Sequence, residues 1–201
     1  MVKKSVYFLI FVFIFAGCGV VKQITNLSHL QFKLADIESI TLGGVSLNNK
    51  STIRDISSLD VLKLSTSFIR KNIPLNFVLN VEIKNPNAGN SVSSKSDFRI
   101  SSFPWRLLLD GKQAVQGNIS SPVNIPGNKS ISYIPVGIKF NLLNFIKNKG
   151  YNSLINFALN FARQKSSPTQ LELFAKPIID TPLGKLNYPD ELKIVSSNFT
   201  N

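Results

Sequence analysis

Leu75-Asn76-Phe77-Val78-Leu79-Asn80-Val81-Glu82-Ile83-Lys84 is the stretch that decides the fold. Its odd positions are all apolar, and Asn76, Asn80, Glu82 and Lys84 fill the even ones, with Val78 the single interruption. An alternation of period two places one face against a core and leaves the other wetter, the habit of an antiparallel sandwich rather than a helix. The strand runs into Asn85-Pro86-Asn87-Ala88-Gly89. Proline removes a ladder donor, asparagine tolerates left-handed backbone and glycine permits reversal, so Asn85, Pro86 and Asn87 are expected to shape a turn.

Upstream, Phe32 to Leu47 carries Phe32, Leu34, Ile37, Ile40, Leu42, Val45 and Leu47 around Gly43-Gly44, which predicts one interrupted strand or two short ones. Residues 57–71 lack alternation, hold Asp60 in the first turn and stop ahead of Pro74, which predicts a helix. Downstream, strands are expected at Asp97–Ile100, Trp105–Leu109, Gln113–Asn118 and Ile131–Phe140, with Asp110-Gly111 as a two-residue hairpin. In residues 141–165 the apolar residues recur at helical spacing, which predicts an amphipathic helix kinked or split at Gly150. Strands at Thr169–Lys176 and near Lys185–Val195 close the chain. Seven or so strands predict a mainly β protein, an antiparallel β-sandwich with two helical insertions, about 57–71 and 141–165.

The chain has 201 residues, 23 Lys and Arg against 11 Asp and Glu, one His and one Cys, a net charge of +12. A single cysteine excludes an internal disulfide, and one Cys with one His excludes a zinc-finger array. At 43% hydrophobic and 17% charged residues the chain has ample apolar surface to bury. Lys3-Lys4 precede an apolar run from Val6 to Phe15, and Ala16-Gly17-Cys18 follow. That run is shorter than the ~20 residues a membrane span needs and reads as an export signal.

Phe15-Ala16-Gly17-Cys18 resembles a bacterial lipobox, with Phe15 where the pattern usually has Leu. The resemblance implies cleavage between Gly17 and Cys18, a diacylglycerol on the Cys18 thiol and an N-acyl chain on its amine, with no other cofactor. The expected organisation is a signal peptide at 1–17, a lipidated Cys and tether at 18–30, and one domain at 31–201. Removing residues 1–17 takes two lysines and no acid, which leaves +10. No Asp follows Cys18, so in a Gram-negative cell the expected location is the outer membrane, facing the periplasm.

The alternating strand and its Asn85-Pro86-Asn87 ending, the Asp110-Gly111 hairpin, the strand Ile131–Phe140 and the closing Pro182-Leu183-Gly184 are together similar to the WHy/late-embryogenesis-abundant type 2 family. The resemblance implies a sandwich akin to immunoglobulin and fibronectin type III domains, a loosely defined role in desiccation or osmotic stress, and neither enzymatic activity nor cofactor. The 141–165 helix departs from that pattern. A second reading has this helix and the sandwich enclosing a pocket for lipid or another apolar ligand.

Sequence motifs give no catalytic centre: there is no G-x-S-x-G, no phosphate-cradling glycine loop and no H-E-x-x-H. His29 falls in the tether as a solvated loop residue. Between Asp110 and Glu172 there is no acid, while Lys112, Lys129, Lys139, Lys147, Lys149, Arg163 and Lys165 add +7. Lys139, Lys147, Lys149, Arg163 and Lys165 are therefore candidates to meet anionic lipid headgroups beside the anchor. Export and the lack of an aromatic–basic stacking pattern argue against a nucleic-acid partner.

Overall fold

The computed structural model describes residues 30–85, 97–109, 111–127, 130–145, 150–163, 171–181 and 184–194. Gly17, Cys18, His29, Pro86, Asn87, Asp110, Lys147, Lys149 and Lys165 lie outside them. The chain runs β1 (Gln31–Leu42), β2 (Val45–Ser46), α1 (Ser58–Ile69), β3 (Pro74–Lys84), β4 (Phe98–Ser102), β5 (Trp105–Leu109), β6 (Lys112–Gly117), β7 (Val123–Ile125), β8 (Ile131–Asn141), α2 (Tyr151–Ala162), β9 (Leu171–Ala175), β10 (Ile178–Thr181), β11 (Gly184–Asn187) and β12 (Leu192–Ile194).

The strand read first from sequence is the centre of the first sheet. β3 lies between β1 and β8 in the order β2-β1-β3-β8, antiparallel throughout, with Leu75 opposite Phe140 and Lys84 opposite Ile131. Leu75, Phe77, Leu79, Val81 and Ile83 are all buried, as the alternation requires. Asn85 is itself buried, and its N–H donates to the Ser130 carbonyl at 2.8 Å, closing the ladder where the strand ends.

Two further sheets have the orders β11-β10-β4-β7 and β12-β9-β5-β6. Their orders correspond strand for strand: β4 continues into β5, β6 into β7, β9 into β10 and β11 into β12. They form one layer creased across its middle. Each of the four chains crosses the crease at a proline, Pro104, Pro122, Pro177 or Pro189. Proline cannot donate to a ladder, so each chain breaks its pairing there. The break is partly closed by other groups: Lys176 N–H donates to Pro104 O (2.9 Å), Tyr188 N–H to Pro177 O (3.0 Å) and Phe103 N–H to Asn118 Oδ1 (2.7 Å). Twelve strands are described against the seven or so expected: β7 and β10 are additional, and the stretch expected near Lys185–Val195 is two strands, β11 and β12, on either side of Pro189. The protein is mainly β and sandwich-like, with one buried apolar cluster shared by the first sheet and the creased layer. Phe32 of β1 meets Phe103 at 6.3 Å and Tyr188 edge-on at 6.0 Å across that core.

The helix expected over 57–71 is α1, capped by Ser57 Oγ accepting from Asp60 N–H at 3.2 Å. It sits against the end of β1. Gly43 (φ +56°) allows the approach, since a Cβ there would come within 3.1 Å of Leu64 Cδ2.

The helix expected over 141–165 needs correction. Asn141 is the last residue of β8, Leu142–Asn144 form a 3-10 turn, and the helix proper is Tyr151–Ala162 with Gly150 as its N-cap. The Asn141 side chain is the reason. Its Oδ1 accepts from Leu143 N–H (3.2 Å) and Ile73 N–H (3.0 Å), and its Nδ2 donates to Lys71 O (3.1 Å). Asparagine used this way caps a turn rather than continuing a helix. The apolar spacing persists because α2 does bury one face: Leu154, Ile155, Ala158, Leu159 and Phe161.

Candidate functional site

On the solvent face of the first sheet, Asn76, Val78 and Asn80 of β3 lie between β1 and β8. The register sets Val78 between Glu38 and Gly137, and Asn76 between Thr41 and Lys139. Gly137 has open space where a Cβ would stand. The result is an open depression of about 330 Å³ lined by Ser39, Asn76, Val78, Gly137 and Lys139 among others.

Three features single it out. Ser39 holds φ +54°, left-handed backbone that a side chain disfavours, where β1 slips register between Glu38 and Thr41. Asn76 Nδ2 donates to Thr41 Oγ1 at 3.0 Å, while its Oδ1 is buried and accepts no hydrogen bond from a described residue. Lys139 supplies an ammonium to the same lining.

A second slip of β1, between Leu34 and Ile37, brings two carboxyls together. Asn80 Nδ2 donates to Asp36 Oδ2 at 3.2 Å. A hydrogen bond with Asp36, and then the Asp36 charge, hold the Glu38 carboxyl above its ordinary range. Asp36 and Glu38 are two positions apart in the sequence, but the register slip of β1 beside them is not legible there.

Asn76 Oδ1 has almost no exposed surface and so is not offered to a group in the depression, whose charged lining residue is Lys139. Among the described residues no group of three His, Cys, Asp or Glu side chains could hold a metal ion.

Of the other candidate residues, Arg163 and Asn85 are described. Arg163 follows the last turn of α2 and donates through Nη1 to Ser51 O at 3.3 Å, while Lys139 is on β8. The solvent side of α2 carries Asn152, Ser153, Asn156 and Asn160, polar and uncharged. Asn85 follows the last residue of β3, with its backbone N–H bonded to Ser130 O.

The seam under α2 is filled by aromatic rings. Phe161 meets Phe77 at 4.8 Å between centroids, Phe77 meets Phe140 at 6.4 Å and Phe140 meets Phe145 at 5.4 Å. On the creased layer, Arg106 holds Glu191 in a two-pronged pair (2.7 and 2.6 Å) and lies 4.4 Å over the Phe174 ring. That pairing draws the Glu191 carboxyl below its usual range and lifts the guanidinium. Tyr188 donates to the Leu30 carbonyl at 3.3 Å, fixing the chain at the start of β1, and burial pushes its hydroxyl up to about 12.

No family model matches the chain, and no curated protein matches it. Among solved structures it is similar to a protein from Archaeoglobus fulgidus, at 13% identity and a TM-score of 0.36, over 84% of this chain and 94% of that one. It is also similar to a protein from Arabidopsis thaliana determined in solution, at 12% identity and a TM-score of 0.35, over 84% of this chain and 83% of that one.

Proposed function

We propose that the protein is a lipid-anchored, non-enzymatic envelope lipoprotein whose domain is an immunoglobulin- or fibronectin-like sandwich of the WHy/LEA-2 kind. Its role is protective or structural under desiccation or osmotic stress. The anchor is Cys18, in the lipobox-like Phe15-Ala16-Gly17-Cys18, and the location is the periplasmic face of the outer membrane. Lys139, Lys147, Lys149, Arg163 and Lys165 give the domain a basic character suited to anionic headgroups.

The observation that carries the reading is the filled seam. A carrier for lipid needs a concave apolar site of several hundred Å³. Here Leu154, Ile155, Ala158, Leu159 and Phe161 are buried, and Phe161 lies against Phe77 of the sheet. This favours a domain that acts through its surface over one that carries an apolar ligand inside.

Cys18→Ala tests the anchor. It should release the protein from membranes or leave an uncleaved precursor; unchanged fractionation and mass would refute lipidation. Survival of a deletion strain through drying and osmotic shock tests the role, and undiminished survival would count against it. Native mass spectrometry of protein extracted from its own envelope would show the acyl chains and expose any retained ligand.

A further inference from the structure

α1 is apolar on two opposite faces. Leu64 is buried toward Gly43, and Phe68 meets Tyr151 edge-on at 5.8 Å. On the other side Leu59, Leu62 and Ile69 are 73%, 65% and 80% exposed. At 3.6 residues per turn these three and Thr66 fall within a sector of about 80°, one continuous stripe. The Thr66 hydroxyl is already spent on the Leu62 carbonyl at 2.9 Å. A helix apolar on both faces expects a second cover.

The surroundings of the stripe are basic. From Lys50 to Lys71 there are five basic residues (Lys50, Arg54, Lys63, Arg70, Lys71) and two acids, Asp55 and Asp60. Both acids are engaged. Asp55 accepts from the backbone of Ser51 and Thr52 at 2.8 Å each, and Asp60 pairs with Lys50 (3.6 Å) and Lys63 (4.0 Å). Arg54, Arg70 and Lys71 are exposed, and Arg163 reaches in from α2 to Ser51.

We infer that α1 lies in the headgroup layer of an anionic bilayer, with Leu59, Leu62 and Ile69 inserted and the bordering basic residues on lipid phosphates. The inference rests on the lipid-anchor reading, which supplies the membrane. A stripe flanked by cations is what an interfacial helix requires. A second copy of the chain is the weaker occupant. The stripe is about 15 Å long and on the order of 10 Å wide, near 150 Å², against roughly 800 Å² per partner in a stable interface. A tethered domain needs no such area, because the anchor holds it at high local concentration beside the bilayer.

The tether permits the contact. Described chain begins at Leu30, one end of the first sheet, and α1 packs at the other end beside Gly43. β1 spans about 40 Å at ~3.3 Å per residue. From Cys18 to Leu30 the chain can extend about as far, up to ~43 Å, so an anchor at Cys18 does not keep α1 from the surface. The docked helix sets which face of the domain meets the lipid.

The test uses the full, acylated chain on vesicles of phosphatidylglycerol and phosphatidylcholine. With Cys18 acylated, an introduced cysteine is the sole free thiol. Leu62→Cys, Ile69→Cys and, on the exposed side of α2, Asn156→Cys each take a spin label. Collision with dissolved oxygen is then compared with collision with a water-soluble nickel chelate. Labels at 62 and 69 should favour oxygen at least about threefold more than the label at 156. That bias should fall when phosphatidylglycerol is omitted or when Arg70→Gln and Lys71→Gln are combined. Equal accessibility at all three sites on membrane-bound protein overturns the inference and leaves the anchor standing. Protein that fails to stay on the vesicles refutes the anchor instead. Spin–spin broadening at 62 with shielding from both probes would assign the stripe to a second copy and overturn the inference.

Discussion

Replacing Phe161 by alanine is the most informative perturbation of the fold, because it tests whether the space under α2 is a core or a pocket. The ring is buried, 4.8 Å from Phe77 and 6.3 Å from Phe157. A Phe→Ala change in a core costs about 3–5 kcal/mol, and an aromatic pair adds about 0.5–1.5 kcal/mol. The neighbours are held by β-ladder on the sheet side and by Leu154, Ile155 and Ala158 along α2, so collapse into the gap is limited. The expected loss is about 4 kcal/mol, a large share of a typical 5–15 kcal/mol. For a domain of this size that lowers Tm by roughly 8–16 °C. The assay is urea unfolding of the chain from residue 18 carrying Cys18→Ala, followed by the fluorescence of Trp105, the one tryptophan, and by far-UV circular dichroism. Phe161→Leu should recover more than half of the loss. A loss below about 1 kcal/mol would refute the packed-seam argument and return the apolar-ligand reading to favour.

Gly117→Ala should destabilise by about 1–3 kcal/mol, as overpacking does, because a Cβ there would fall 2.7 Å from Trp105 Cζ2; unfolding midpoints with unchanged slope check it. Tyr188 is buried and its hydroxyl is pushed up to about 12, so the folded state favours the neutral form. Its stability contribution is full below the unfolded value of 10.0 and is lost as pH rises toward 12, by roughly 1–2 kcal/mol, a loss that Tyr188→Phe should lack. Glu38 is raised by Asp36, so its contribution is present below the ordinary carboxyl range and declines as pH rises through the elevated value. Glu38→Gln should flatten the stability profile just above the ordinary carboxyl range, and an unchanged slope would show that the two carboxyls do not interact.

Local rules account for most elements. The alternation of β3, the two-residue loop between Leu109 and Lys112, and the Ser57 cap of α1 each depend on residues within a few positions, where side-chain period and turn chemistry act directly. The prolines of the crease were equally visible, yet their meaning was not. Pro104 and Pro177 matter together because β4–β5 and β9–β10 run side by side, and no local pattern states which strands are neighbours. Asn141 misled for the same reason: its amide is committed to Ile73 and Lys71, about seventy residues away, which ended the helix before it could start.

What the sequence by itself determined is the lipobox-like start, the mainly β class and the excess of basic residues, all functions of composition and short-range order. The tertiary structure alone decided where charge and apolar surface meet. It buried the apolar side of α2 and left Leu59, Leu62 and Ile69 of α1 in the open, although both helices are rich in apolar residues. It also set Asp36 and Glu38 beside a register slip of β1 and left Asn76 Oδ1 buried with no hydrogen bond from a described residue. Burial depends on which surfaces the fold turns inward, and that is a property of all the strand pairings at once.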